Sequence, residues 1–426
     1  MSEPVPPPSQ PDARSAAPGR FRHAHAVHPN WRMAVELCLA QLDAQSRDPA
    51  YAKRANLGFA YLGDQLTPYA SEILAFLRVR TGVPDWVGSV GIGVVASNAG
   101  YFDEPALSVM LADLPPASFS VFSGTRPIPA AEQRTPSGAI AAHSALVHAD
   151  PDAPDLPLLV ADLARRVESG WLFGGITSSR GPGVQLANET QSGGGHAANV
   201  YGSGLSGVVF SSEVHLASRS SRAIAPVGGA HTVTRAEGNV VLELDGNPAL
   251  YALLADLDAD NPLTLVRHPR LTYGLFVGLQ LPGAAPHDML LRNVLALDPR
   301  DGSIALAGPV EPGRRLLFCS RDAKSARVDL RRVCAELRDE IESDAPALAL
   351  EAARASGPLD GRRRIRGGIY ISCVARPGQL FDDPSDELAL IRDNLGDIPL
   401  TGFFANGEIA RDELQGHTGV LTLFLG

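Results

Sequence analysis

Residues 367–407 read GGIYISCVARPGQLFDDPSDELALIRDNLGDIPLTGFFANG, and this stretch indicates how the chain is built. Two short runs rich in β-branched and aromatic residues, GGIYISCVA and IPLTGFFANG, flank the segment DELALIRDNLGD, whose apolar residues recur at the spacing of a helix. This order of strand, helix and strand implies two parallel strands joined by a right-handed crossover. The next run, HTGVLTLFLG, then adds an antiparallel strand.

The same order of elements occurs twice earlier in the chain, although the three copies share few identical residues. The first copy consists of NLGFAYLG, TPYASEILAFLRVRTG, WVGSVGIGVVAS and PALSVMLADL. The second consists of SFSVFSG, LPLLVADLARRVESG, WLFGGITSS and SGLSGVVFSSEVHLA. We therefore predict a mixed α/β fold, with parallel and antiparallel strands in sheets built from repeated strand-helix-strand-strand units. These units are expected to form two closely packed domains.

The domain boundaries are predicted from changes in composition and pattern. Residues 1–22 are rich in Pro, Ala and Ser and bury too little apolar area to offset chain entropy, so they are expected to be a disordered tail. A hinge at Asp245-Gly246 precedes Pro248, close to where the repeated order gives way to two hairpins. We place an N-terminal domain over residues 23–247 and a C-terminal domain over residues 248–426.

Composition argues against several classes of function. The net charge of −10 is spread along the chain, without a basic face for nucleic acid. No apolar run approaches the roughly 18 residues needed to cross a bilayer, and the N-terminal segment lacks the apolar region of a secretion signal. The four cysteines have no C-x-x-C spacing, so free thiols in a reducing compartment are expected. We therefore expect a cytoplasmic protein that binds neither nucleic acid nor a membrane.

Motifs of several catalytic and metal-binding families are missing from the sequence. It contains no Gly-x-Ser-x-Gly elbow, no Walker-type phosphate loop and no His-Glu-x-x-His helix. His23, His25 and His28 are close in sequence, but no cysteine or carboxylate accompanies them. We expect no metal site and no catalytic residue.

Five motifs carry a resemblance to a known family. They are GGAHTVTRAEGNVVLELDGNPAL, EPGRRLLFCSRD, GGIYISCVARPGQLF, PLTGFFANGEI and HTGVLTLFL, in this order between residues 228 and 425. With these motifs the chain resembles the FIST (F-box and intracellular signal transduction) family, whose members carry N-terminal and C-terminal FIST domains. The resemblance implies a sensory domain that binds a small ligand, with amino acids as candidates. Many family members attach this domain to an output module, and here we expect a separate signalling partner such as a histidine kinase.

Small polar residues follow several predicted strands, and ligands of open α/β sheets bind beside the carboxyl ends of strands. An amino acid needs a cation for its carboxylate and an anion for its ammonium group, which Arg376 and Glu408 could supply. The other expected ligand contacts at strand ends are Ser97, Asn98, Ser178, Ser179, Cys373, Asn406 and Gly407. Two alternatives stay open: an Arg376–Glu408 salt bridge that closes the site without a ligand, and ordinary turn chemistry at the small residues.

Two other functions are compatible with the residues. A haem-binding nitric-oxide sensor would need an axial ligand, and the candidates are His196, His215, His231 and His417. A cysteine-dependent hydrolase or transferase would use Cys373, with Glu408 or His417 as its helper. Our expectation is instead a protein that acts by ligand binding and needs no cofactor.

Overall fold

The computed structural model describes residues 19–124, 141–188, 200–265, 274–280, 289–343 and 364–426. The chain divides into two compact units. Unit 1 contains the described residues of Met1–Ser220, Cys334–Arg376 and Asp383–Gly426, and unit 2 contains those of Ser221–Val333 and Pro377–Asp382. The hinge before Pro248 lies inside unit 2, so the compact units do not follow the two halves of the sequence. Residues 1–18 of the predicted tail lie outside the described residues, and Arg22 already begins the first strand.

The strands follow one another along the described chain as Arg22–Val27 (β1), Leu57–Gly63 (β2), Asp85–Gly91 (β3), Gly93–Ala96 (β4), Ala99–Phe102 (β5), Ala106–Ala112 (β6), Phe119–Phe122 (β7), Ser144–Ala149 (β8), Trp171–Ile176 (β9), Gln185–Asn188 (β10), Val200–Tyr201 (β11), Leu205–Phe210 (β12), Leu216–Ser221 (β13), Ile224–Glu237 (β14), Val240–Leu244 (β15), Asn247–Pro248 (β16), Leu275–Gln280 (β17), Met289–Asp298 (β18), Ser303–Leu306 (β19), Arg315–Arg321 (β20), Ile365–Cys373 (β21), Leu400–Ala405 (β22), Glu408–Ala410 (β23), Glu413–Gln415 (β24) and Gly419–Leu425 (β25).

The helices are Trp31–Arg47 (α1), Ala70–Thr81 (α2), Leu156–Arg165 (α3), Ala249–Leu257 (α4), Pro262–Leu265 (α5), Ala323–Ser343 (α6) and Asp386–Leu395 (α7), with a 3-10 helix at Asp64–Tyr69. Helix α1 begins at Trp31 because the side chain of Asn30 accepts hydrogen bonds from the backbone N–H groups of Arg32 and Met33. Helix α2 ends where Gly82 adopts a left-handed conformation at φ 70°.

Unit 1 contains three six-stranded sheets with the same central plan. In spatial order, sheet 1 is β1-β6-β2-β3-β10-β11, sheet 2 is β24-β23-β9-β8-β12-β7 and sheet 3 is β13-β25-β21-β22-β4-β5. Each sheet centres on a parallel pair, β2–β3, β8–β9 or β21–β22, and the helix between the two strands is α2, α3 or α7. The strands β6, β12 and β25 pair antiparallel with the first strand of each pair. The predicted α/β class and its repeated units are therefore confirmed.

The second repeat differs from its predicted form. The run SFSVFSG was expected to be its first strand, but it forms β7, which lies at the edge of sheet 2 and pairs with β12. The strand that precedes helix α3 and pairs in parallel with β9 is instead β8, from the run SALVHA. Every residue of β8 is buried, which is typical of a central strand with both faces covered.

Three glycines mark the same position in the three repeats. Gly88, Gly174 and Gly402 lie on the second strand of each parallel pair, and a Cβ atom on any of them would lie 1.8–1.9 Å from a carbonyl oxygen of the first strand. Non-bonded atoms cannot approach so closely. Only glycine therefore fits at this point of each repeat.

A hairpin that follows each parallel pair joins the sheet of a different repeat. Strand β4 continues from β3 but pairs with β22 in sheet 3, while β10 follows β9 and pairs with β3 in sheet 1. Strand β23 follows β22 and pairs with β9 in sheet 2. The run WVGSVGIGVVAS, predicted as one strand, is therefore broken at Ile92 into two strands of different sheets. Gly91 and Gly93 permit this break, because a Cβ on Gly91 would lie 2.6 Å from the carbonyl oxygen of Gly93.

The inner faces of the three sheets share one apolar core. Phe424 of β25 makes ring contacts at 5.4–5.8 Å with Phe21, with Phe59 of β2 and with Phe210 of β12, so that each sheet contributes an aromatic ring. On the outer faces, α1 and α2 pack on sheet 1 and α3 packs on sheet 2. This arrangement fixes the positions of the strand ends on which the site depends.

Unit 2 is built on one antiparallel sheet with the strand order β14-β20-β17-β18-β19-β15-β16. Helix α4 packs on this sheet, and Leu253 of the helix and Phe318 of β20 belong to the same buried cluster. The long strand β14 pairs with both β20 and β15, with an irregularity between Pro226 and Ala230. A bulge of this kind bends the strand, which allows it to serve two neighbours.

Candidate functional site

The candidate site lies where strands β21 and β22 of the third repeat end. Cys373 is the last residue of β21, and the backbone N–H of Arg376 donates to its carbonyl oxygen at 3.0 Å, which turns the chain. Glu387 reaches the same place from the first turn of helix α7, and Glu408 from the start of β23. The structure thus brings together Cys373, Arg376 and Glu408, three of the residues proposed from sequence. It adds Glu387, which the sequence does not indicate.

Arg376 forms a buried ion pair with Glu387. One guanidinium nitrogen, Nη2, lies 3.1 Å from Oε2 of Glu387, and Nε lies 3.2 Å from both carboxylate oxygens, with the two side chains 0% and 2% exposed. Glu387 also accepts hydrogen bonds from the hydroxyl groups of Tyr370 and Ser372. Burial alone would lower the pKa of Arg376, but the charge of Glu387 outweighs this effect and raises it. The guanidinium charge is therefore already compensated by a carboxylate of the protein.

Glu408 is the less compensated acid of the cluster. Its side chain is fully buried, and its Oε2 accepts the backbone N–H of Thr418 at 2.9 Å. Its Oε1 has no hydrogen-bond partner among the described residues. Burial raises the pKa of this carboxyl to about 8, although the Thr418 N–H and the positive charge of Arg376 oppose the increase. Burial therefore favours the protonated form of Glu408 far more than that of an ordinary exposed carboxyl.

The environment of Cys373 does not activate its thiol. The residue is 6% exposed, and its thiol lies near the carboxyl of Glu408. Burial, and then the negative charge of Glu408, raises the pKa of the thiol to about 11. A thiol of this pKa is almost entirely protonated at neutral pH, so this geometry does not supply the thiolate that a nucleophilic mechanism requires.

Asn406 and Gly407 join two sheets and do not form a hairpin turn. The N–H of Asn406 donates to the carbonyl oxygen of Ile176, and the N–H of Ile176 donates to the carbonyl oxygen of Gly407, at 2.9 and 2.8 Å. Gly407 adopts φ 124°, a conformation that favours glycine. This link places β22 in sheet 3 and β23 in sheet 2, and it directs Glu408 into the interior.

Ser97 and Asn98 lie at the other end of β22. The hydroxyl of Ser97 accepts the N–H of Leu400, the first residue of β22, at 2.8 Å, and Asn98 donates to Asp397 at 2.9 Å. Since Asn406 follows the last residue of this six-residue strand, the two ends are about 16–20 Å apart. Ser97 and Asn98 are therefore not equivalent to the small polar residues that follow β9 and β22. Ser97 and Asn98 form the turn between β4 and β5, one strand later than the loops after β9 and β22.

Ser178 and Ser179 follow β9 and support its end. Ser178 accepts the N–H of Ile92 at 2.9 Å and donates to the carbonyl oxygen of Phe404. It therefore connects the end of β9 with the residue between β3 and β4 and with strand β22. Ser179 accepts the N–H of Gly181 at 3.0 Å in a local turn. A ligand-binding role for these serines, and for Ser97 and Asn98, stays a prediction.

Three of the four histidines considered as haem ligands are among the described residues. His196 lies outside the described residues. In unit 1, His417 offers its carbonyl oxygen to Arg376 at 3.1 Å, and His215 lines a cavity of about 270 Å³. That volume is below the roughly 300–1,000 Å³ of pockets for drug-sized ligands. His231 lies in unit 2, between two carboxylates.

We predict a pH-dependent stability of unit 2 from His231. Its Nδ1 lies 2.8 Å from Asp245 and its Nε2 lies 3.0 Å from Asp256. Burial lowers the pKa of His231, but the two carboxylates outweigh burial, so the pKa in the folded protein is raised. Protonated His231 therefore stabilises the folded protein fully below the unfolded pKa of about 6.5. This stabilisation is lost as pH rises through the folded pKa. Hydrogen exchange of β14 and β15, corrected for its intrinsic pH dependence, should show weaker protection at pH 8 than at pH 6.

The matched variant for this prediction is His231→Gln. It removes the titrating group, so the difference in protection between pH 6 and pH 8 should disappear. Equal losses of protection in the wild-type protein and the variant would contradict the assignment.

Among the described residues, no helix is long and apolar enough to cross a membrane. Nor do these residues contain a group of three or more His, Cys, Asp or Glu side chains placed to hold a metal ion.

Comparison with known proteins identifies the family. The model of the FIST N domain matches residues 56–247 and that of the FIST C domain matches residues 249–411. The uncharacterized protein Rv0628c of Mycobacterium tuberculosis is 31% identical over 374 residues, which cover 84% of this chain and 88% of that protein. The uncharacterized protein Mb0898c of Mycobacterium bovis is 29% identical over 398 residues, which cover 89% and 93%. The chain therefore belongs to the FIST family of sensory, signal-transduction proteins and carries both of its domains.

Proposed function

We propose that the chain is a cytoplasmic sensory protein that binds a small molecule with an ammonium group, amino acids being the expected class. It passes the signal to a separate partner, such as a histidine kinase, and needs no cofactor. Membership of the FIST family supports the sensory role. The observation that carries the proposal is Oε1 of Glu408, a fully buried carboxyl oxygen without a partner among the described residues. Buried polar atoms are normally hydrogen-bonded, and exceptions concentrate at functional sites.

Once Glu408 is ionised, the charges of the cluster favour one additional cation. Arg376 and Glu387 compensate each other, and Glu408 is neutral while it keeps its proton. An ammonium group that donates to Oε1 is stabilised most by an ionised carboxylate, because a charge-assisted hydrogen bond is about twice as strong as a neutral one. Binding near neutral pH should therefore release a proton from Glu408.

Arg376 has a different role in this proposal from the one expected from sequence. A ligand carboxylate would have to compete with Glu387 for the guanidinium group. We therefore assign Arg376 to the electrostatic support of the cluster, since its charge favours the ionised form of Glu408. The direct contacts in this assignment are Glu408, Cys373 and the link at Asn406 and Gly407.

The variant Glu408→Gln tests the proposal. Gln has nearly the shape of the protonated acid, so the unliganded variant should stay folded, but it cannot ionise. A panel of amino acids and simple primary amines should include a ligand that raises the melting temperature of the wild-type protein. At 100 times its Kd, such a ligand adds about 2.7 kcal/mol to the free energy of unfolding. The variant should lose this response. Calorimetry in buffers of different ionisation enthalpy should detect the released proton in the wild-type protein only.

Glu413→Gln is the matched control. Glu413 lies in β24, the strand next to β23, and its side chain is exposed. This variant should respond to the panel as the wild-type protein does. A full response of Glu408→Gln, or binding without proton release, would contradict the proposed site.

A further inference from the structure

Helix α1 places two glutamine amides along the outer edge of β1, the edge strand of sheet 1. The amide of Gln45 accepts the backbone N–H of His23 through Oε1 and donates to the carbonyl oxygen of His23 through Nε2, both at 2.8 Å. Gln41 makes the same two contacts with His25, at 3.3 Å from the N–H and 2.8 Å to the carbonyl oxygen. Each amide therefore bonds both backbone groups of one residue, as a residue of a neighbouring antiparallel strand does.

The spacing of the two glutamines matches the spacing of the strand. Four residues of a helix advance about 6.0 Å, and two residues of a strand advance about 6.4–6.8 Å. Two side chains four residues apart on α1 can therefore serve two residues of β1 whose backbone groups point away from β6. Phe21, two residues before His23, donates its N–H to the carbonyl oxygen of Arg366 at 2.7 Å. The outward N–H groups of Phe21, His23 and His25 are thus all bonded within unit 1.

The sequence of β1 offers little protection of its own against pairing with another strand. Exposed edges are usually protected by charged side chains, prolines or bulges. The six residues RHAHAV include one arginine and neither lysine nor proline, and they pair with β6 in an unbroken register. Burial lowers the pKa of His23 to about 4 and also lowers that of His25, so both side chains are uncharged at neutral pH. The two glutamines therefore take the place of these protective features.

Strand β13 occupies the corresponding edge of sheet 3, and a helix covers it as well. Arg219 of β13 lies 2.7 Å from Glu340 and 3.4 Å from Glu336, which are also four residues apart on α6. Helix α6 precedes β21 as α1 precedes β2. On β13 the helix binds a side chain, whereas on β1 the glutamines bind the backbone that would pair with another strand.

We propose that Gln41 and Gln45 close the edge of sheet 1 to strand addition, and that this edge, once freed, pairs with β1 of a second copy of the chain. The second copy is the occupant because two antiparallel β1 edges are complementary to each other, with the same residues supplying donors and acceptors on both sides. The chain thus keeps an interaction surface occupied by its own helix. The proposal depends neither on Glu408 nor on the proposed ligand.

Sedimentation velocity of the full chain tests this inference. The double variant Gln41→Ala/Gln45→Ala leaves the outward backbone groups of β1 open, so it should self-associate at least about tenfold more tightly than the wild-type protein. The matched control is Asp43→Ala/Arg47→Ala, at two exposed positions four residues apart on the same helix. Like the glutamine variant, it leaves the net charge unchanged. The control should sediment as the wild-type protein does.

Site-resolved hydrogen exchange connects the association to the edge. The single variant Gln45→Ala should speed the exchange of the His23 amide, and Gln41→Ala should speed that of His25, while the amides of β6 keep their protection. In the double variant both amides should regain protection as the protein associates. Adding His25→Pro removes an N–H that faces away from β6, and this triple variant should no longer associate.

Association of the double variant that the proline abolishes supports the inference. The inference is wrong if the double variant sediments as the wild-type protein does, if the triple variant still associates, or if the control associates equally well. Unchanged exchange of His23 and His25 in the two single variants would also overturn it, because the glutamines would then not hold the edge. None of these results changes the expected response of Glu408→Gln to amines.

Discussion

Replacing Glu387 with Gln is expected to destabilise unit 1 by about 3–5 kcal/mol, one of the two largest effects we predict. The variant leaves the guanidinium group of Arg376, which is 0% exposed, without its counter-charge. Removing one partner of a buried pair is costly because a desolvated charge remains. Urea unfolding followed by tryptophan fluorescence measures the effect in unit 1, since all three tryptophans, Trp31, Trp86 and Trp171, belong to it.

Two further variants sharpen this prediction. Arg376→Met combined with Glu387→Gln should recover part of the lost stability, because no unpaired charge then stays buried. Glu413→Gln, at an exposed position, should change stability by less than about 0.5 kcal/mol. A cost below about 1 kcal/mol for Glu387→Gln would show that the pair is not desolvated as described.

Gly174→Ala is expected to cost at least about 4 kcal/mol or to prevent folding of unit 1. Its Cβ would lie 1.9 Å from the carbonyl oxygen of Val147, a backbone atom that cannot move without disrupting the pairing of β8 and β9. Gly88→Ala and Gly402→Ala should behave alike, because these glycines occupy the same position in their repeats. The same fluorescence-detected urea unfolding measures all three.

Gly416→Ala is the control for the glycine series. A Cβ at Gly416 would meet no atom within 4 Å, so this variant should stay within about 1 kcal/mol of the wild-type protein. If Gly174→Ala unfolds at the same urea concentration as Gly416→Ala, the close approach of the strands is not present in solution.

The sequence predicts the repeated units because the spacing of apolar residues within each short segment indicates whether it is a helix or a strand. Helices α2, α3 and α7 show a helical period, and the flanking runs are short and apolar, so their order is readable without tertiary information. The break at Ile92 was not predictable in this way. GSVGIGVVAS is one continuous apolar run, and only its pairing shows that β3 and β4 belong to different sheets.

Part of the residue cluster at the ends of β21 and β22 is readable from the sequence for a related reason. Cys373, Arg376 and Glu408 were identified because they follow strands, and the structure places them together. Glu387 is not recognisable from sequence, because acidic residues are common in the first turn of a helix, where the helix dipole stabilises their charge.

The exchanged hairpins make the three repeats mutually dependent. Sheet 3, formed mainly by residues of the C-terminal half, is completed by β4 from residues 93–96, and sheet 2 is completed by β23 from residues 408–410. A fragment cut at the junction of the two FIST matches would therefore carry orphaned sheet edges, prone to self-association. We therefore expect the two matched regions to fold together, not as separate modules.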